Sequence, residues 1–164
     1  MPEARTAAVF QVTIEVAQTE YQALVEGLEP PRDVRLLMEC LAFQCSIVYR
    51  IALNSQGGAE ADNITMDLIK RISSTFDKGP KDAEETQKWM SNRVSTLSAY
   101  PDVIVEETFG IFKGASGDHS LAILDLLNLT QEKCDPLTTI RLLKGQSSWV
   151  SAIQLYRTAI ALKD

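Results

Sequence analysis

Histidine is almost absent from this 164-residue chain: His119 is the only one. Cysteine is scarce too, with Cys40, Cys45 and Cys134 making an odd number. These two shortages exclude much chemistry at once. A di-iron carboxylate bundle needs a Glu-x-x-His pair on each of two helices, and Ser116 stands where the Glu partner of His119 would have to be. Zinc hydrolases draw on two or three histidines. Three scattered cysteines plus His119 lack the short paired spacing of a structural zinc site, and they cannot form a disulfide framework. The residues around His119 read as a helix entrance, which argues against haem ligation. No cofactor is expected.

Basic runs are missing as well. Lys and Arg total 16 against 22 Asp and Glu, a net charge of -6. Residues 1–54 carry 7 acids and 4 bases, 55–101 carry 7 and 6, and 102–164 carry 8 and 6. No third of the chain is net positive, so a nucleic-acid surface, which gains affinity by releasing phosphate counterions, is not expected. There is no basic, apolar signal segment at the start. The strongest apolar stretch, Leu36 to Leu53, is broken by Glu39, Gln44 and Arg50. It reads as a buried helix and not a membrane span. Unpaired thiols and no leader point to a reducing, cytoplasmic setting.

What is present is helical patterning. Phe10, Ile14, Ala17, Tyr21, Leu24 and Leu28 recur at helix spacing, with Pro30-Pro31 as the stop. A second helix from about Arg32 to Leu53 is apolar around most of its circumference, which makes it the core element. Asn54 to Asp62 reads as a loop, with Asp62 or Asn63 capping a third helix that carries Ile64, Leu68, Ile69, Ile72 and Phe76. Pro80 opens a more polar fourth helix bearing Trp89, Met90, Val94 and Leu97. A fifth helix is expected to open near Asp118 and to continue through Leu121, Leu124, Leu127 and Leu129. A short helix over Pro136 to Leu143 should end at Gly145, and Ser147 or Ser148 should cap a last one. The expectation is an all-α, compact single-domain bundle of six to seven helices spanning 1–164. The alternative is α+β, because 8–16 and 102–112 also carry strand-like alternation and could pair as a small two-stranded sheet.

Two groups of residues stand out for function. Gly110 to Ser120 combines glycines with Lys113, Ser116, Asp118 and His119 ahead of a helix N-terminus, where free N–H groups favour an anion. It matches neither a phosphate loop nor a nucleophile elbow. Capping by Ser116 or Asp118, with His119 exposed in the first turn, accounts for the same residue types. On the second helix Arg35 and Glu39 are spaced to pair, while Arg50 needs a distant partner or could clamp a carboxylate or phosphate. Trp89, with Arg93 one turn on, suits an interface.

No reactive constellation emerges, so catalysis is not the expected role. The leading expectation is a non-catalytic protein that binds another protein or itself, as a regulatory, chaperone-like or neutralising adaptor. Self-association into a homo-oligomer is expected, and the acidic charge would favour a basic partner. The alternative is a small-molecule or anion-binding domain built on Arg50 and the 110–120 loop.

Overall fold

The computed structural model describes residues 3–26, 34–76, 80–100, 114–127 and 135–162. Among them the chain forms six helices and no strand: α1 (Glu3–Val25), α2 (Arg35–Gln56), α3 (Gly58–Phe76), α4 (Pro80–Ser98), α5 (Gly114–Leu126) and α6 (Pro136–Ile160). The fold is an all-α bundle. Residues 8–16 lie inside α1, so the longer helical period overrides their β-branched alternation. The other strand candidate, 102–112, lies outside the described residues, as do Lys113 and Cys134.

The most apolar helix is the axis of the bundle. α2 packs against each of the other five helices, and Leu41, Ala42, Phe43, Cys45 and Val48 are all fully buried. By length and composition α2 could cross a bilayer, yet 72% of its most apolar window is buried against its neighbours. Around it, α3 contributes Ile64, Leu68, Ile69 and Ile72, as its spacing predicts, and α4 contributes Met90, Val94 and Leu97. α1 is rotated from its expected orientation. Val9, Thr13, Val16, Ala17, Glu20 and Leu24 face inward, whereas Phe10, Ile14 and Tyr21 are only half-buried.

The chain breaks also differ from expectation. The loop from Asn54 to Asp62 shrinks to Gly57, whose φ of 89° lies in a region that only glycine enters without strain. Its carbonyl accepts from Ala61 N–H at 2.9 Å, so α3 begins directly after the turn. α5 opens four residues earlier than expected, at Gly114 with φ 60°. Ser116 and Asp118 therefore sit within the helix and not at its cap. Its small residues Ala115, Ser116 and Gly117 are buried, letting this end approach the core, while Leu121 points outward.

The largest correction concerns the C-terminal third. Pro136 to Ile160 is one continuous helix. It starts where Asp135 accepts from Thr138 N–H at 2.7 Å and where Pro136 occupies the first turn. Gly145 does not end a helix; it lies in the interior of α6, buried against α1. Ser147 and Ser148, expected to cap a helix, lie inside α6, and Trp149 beside them is fully buried.

A Cβ built on Gly145 would lie 2.9 Å from Glu20 Cγ and 3.3 Å from Glu20 Oε2. The glycine is there because two helices meet closely over a charged side chain. Gly→Ala in an open helix interior ordinarily stabilises by about 1 kcal/mol. Here Gly145→Ala should destabilise by about 1–3 kcal/mol through overpacking, measured by urea unfolding. Stabilisation would show that Glu20 has room to move.

Candidate functional site

The inner faces of α1, α2, α4 and α5 bring together a chain of ionised groups. Glu20 lies on the buried stripe of α1 and Glu39 on the crowded side of α2; each is 2% exposed. His119 of α5 lies between them, also 2% exposed, with Nε2 2.9 Å from Glu20 Oε2 and Nδ1 3.2 Å from Glu39 Oε1. Both ring nitrogens therefore face carboxylates. Arg93 of α4 donates from Nε and Nη2 to Glu39 at 2.5–3.0 Å and reaches Asp118 Oδ1 with Nη1 at 2.8 Å. Tyr100 donates its hydroxyl to Asp118 Oδ2 at 2.7 Å, closing the outer end.

Aromatic packing holds the imidazole in place. Phe43 stacks on it with centroids 4.2 Å apart and planes 8° from parallel. Trp149 of α6 meets the same phenyl ring edge-on at 5.1 Å. One turn below Trp149, Gly145 lets Glu20 approach.

The electrostatics follow from this geometry. Burial opposes a charged imidazole, but the Glu20 carboxylate and the hydrogen bonds to Glu20 and Glu39 outweigh it, pushing His119 up to about 9. The imidazolium then donates both N–H groups. Burial pushes Glu39 up, yet His119 and Arg93 together hold it below the usual carboxylate range. Asp118 is lowered in the same way, its burial outweighed by Tyr100 and Arg93. The Cys40 thiol, close to Glu20, is pushed well up by burial and by the adjacent negative charge. As a proton-holding core this arrangement is complete. As an open active site it is not, because its central imidazole and both flanking carboxylates are sealed from solvent.

The residues expected from sequence are only partly assembled here. Asp118 and His119 belong to one chain of groups, linked through Arg93 and Glu39; Arg93 was expected at an interface with Trp89. Arg93 instead turns inward and is bound to two carboxylates, while Trp89 remains 43% exposed on α4. His119, expected to be exposed, is buried because α5 starts early and points it at α2. Glu39 takes Arg93 as its partner across the bundle. Ser116 is buried within α5, and Arg50 donates to the Leu97 carbonyl at 2.7 Å, at the end of α4. Lys113 lies outside the described residues.

Sequence reasoning missed Glu20, Cys40 and Gly145. Glu20 carried a usable signal, since it falls three residues after Ala17 and four before Leu24, on the buried stripe. Gly145 carried none, because a glycine that ends a helix and one that admits a neighbour look alike.

Stability should follow the protons held in this cluster. His119 keeps its proton to about pH 9 when folded, against an ordinary value of 6.5. Its stabilisation is thus complete below pH 6.5 and lost as pH rises toward 9, by on the order of 3 kcal/mol. Glu39 and Asp118 act in the opposite sense: their contribution is present above the ordinary carboxylate values and lost as pH falls through the lowered ones. Denaturant unfolding across pH 3 to 10 should give a maximum near pH 5–6.5. His119→Gln should flatten the alkaline fall, and an unchanged slope would rule out the imidazolium.

No protein-family model, no curated protein and no solved structure matches this chain.

Proposed function

We propose that this protein acts by protein–protein association, with a second copy of itself as the partner and the outer face of α6 as the contact. The observation that supports this is the pattern of large apolar side chains left on that face. Leu137, Ile140 and Leu155 are 54%, 48% and 55% exposed. They lie within one narrow stripe when the helix is wound at 100° per residue, and Lys144, Ser147, Ser148 and Ser151 lie between them.

The stripe is nearly symmetric end to end. Laid antiparallel on a copy of itself, with the two-fold axis between Ser147 and Ser148, it sets Ile140 opposite Leu155. The same register sets Lys144 opposite Ser151 and Leu137 opposite Thr158. Such self-complementarity is what an isologous dimer requires. Small serines at the crossing allow close helix approach, and apolar residues on both sides supply the buried area.

Charge favours the same face. α6 contains Arg141, Lys144 and Arg157 and no Asp or Glu, although the chain as a whole carries -6. The helix itself therefore brings no negative charge to the contact. Arg141 and Lys144 are also committed to Glu26, through its backbone carbonyl and its carboxylate respectively. The buried free thiols Cys40 and Cys45 suit a reducing, cytoplasmic setting. A single helix pair is a small interface, so association in the micromolar range is expected.

Sedimentation over a rising concentration series tests the reading. The wild type should dimerise, and Ile140→Lys and Leu155→Glu should each be monomeric with unchanged helix content. Mixed together, the two variants should form a heterodimer, because the introduced lysine of one then faces the introduced glutamate of the other. A wild type that stays monomeric, or variants that dimerise equally well, would rule out this face.

A further inference from the structure

We infer that Glu20, Cys40 and His119 form a binding site for a single divalent transition-metal ion of the zinc type, buried between α1, α2 and α5. One ligand atom from each residue lies within 4.8 Å of the others, and all three side chains are buried. Imidazole nitrogen, thiolate sulfur and carboxylate oxygen are the donor set that zinc takes in tetrahedral sites. Ligand atoms around such an ion lie about 3.3–3.6 Å apart, given bond lengths of about 2.0–2.3 Å. The 2.9 Å contact between His119 Nε2 and Glu20 Oε2 would open by a few tenths of an ångström, and the sulfur would draw in.

Two further observations point to a ligand here. Glu20 Oε1 is buried and has no hydrogen-bond partner among the described residues. A carboxylate oxygen withdrawn from water in this way costs free energy unless something cationic or protic meets it. Secondly, the outer support that metal-bound histidines require already exists. His119 Nδ1 faces Glu39, which is itself held by Arg93, the carboxylate–histidine arrangement that fixes the tautomer and orients the ring.

The exchange conserves charge. Glu20, Glu39 and Asp118 contribute three negative charges and Arg93 one positive. With an imidazolium and a thiol the cluster stands at minus one, and a divalent ion beside a neutral imidazole and a thiolate leaves it at the same minus one. The binding step balances as an exchange. The metal–nitrogen bond replaces the Nε2–H bond, and the metal–sulfur bond replaces the Cys40 S–H bond. Two protons pass to solvent, and Glu20 transfers its lone pair from the imidazolium N–H to the metal. The imidazolium form and the metal-bound form are thus alternative occupants of one position. Because the site is sealed, the ion should enter during folding or local opening and exchange slowly with chelators.

Cobalt(II) is the probe, since its thiolate complexes absorb by charge transfer and tetrahedral coordination gives intense visible bands. The full-length chain is refolded from denaturant with and without cobalt(II) and titrated for stoichiometry. The expected result is one ion per chain, a thiolate-to-cobalt band, and release of two protons per ion near neutral pH. The band should persist in the Cys45→Ala/Cys134→Ser double variant, whose only thiol is Cys40, and vanish in Cys40→Ser. Circular dichroism confirms that each variant is folded, and the wild-type spectrum stands without them. No stoichiometric binding, binding without the band, or a band removed by Cys45→Ala alone would each overturn the assignment.

Discussion

Everything central in this bundle is arranged around one imidazole placed between two carboxylates. Removing five ionisable groups from water is unfavourable, and each charge is tolerated only because the next one answers it. Glu20 answers His119, His119 answers Glu39, Glu39 answers Arg93, and Arg93 answers Asp118. Exposure rises along that series, from 2% at Glu20 to 22% at the Asp118 side chain, so the innermost members depend most on geometry. Deleting one partner would leave an uncompensated buried charge, at a cost of about 3–5 kcal/mol. An apolar core of the same volume could be equally stable. What the ionic chain adds is register: α1, α2, α4 and α5 must all be correctly placed for it to close.

The apolar packing is organised to serve that closure. Phe43 lies flat on His119, and Trp149 braces Phe43 from α6. Gly145 clears the space into which Glu20 fits. Tyr156, about two helix turns beyond Trp149, buries its hydroxyl against Gln44 at 2.6 Å, tying α6 to α2 a second time. α3 takes no part in the ionic chain. It covers the remaining side of α2 with an aliphatic stripe and is joined to it by the single left-handed Gly57.

Sealed chemistry and an open apolar stripe divide the molecule into an inside and an outside. The inner groups are reactive types held where a substrate cannot reach them, which favours holding a proton or an ion over turning over a ligand. The outer face of α6 is the opposite: poor in reactive groups, rich in exposed aliphatic side chains, and with no Asp or Glu of its own. Because α6 also carries Gly145 and Trp149 on its inner side, the proposed contact surface and the buried cluster lie on two faces of the same helix.

The helical class, the central role of the second helix, the aliphatic stripe of the third and the position of Pro80 were legible in the sequence. Each depends on a periodic signal that one helix carries by itself. The helix from Pro136 to Ile160 was legible only in part, because Gly145 and the serines after it resemble an ending when the neighbour is unseen. Glu20 sits at a core spacing, so its burial could be read, but not what would meet it. His119 could not be placed, since its burial depends on where α5 begins and on α2 lying opposite. Composition and periodicity determined that this chain would fold as a bundle around one apolar helix. Only tertiary packing decided that Glu20, Glu39, Arg93, Asp118 and His119 would meet, because charges separated by up to 99 positions in the chain are joined by distances that no local pattern encodes.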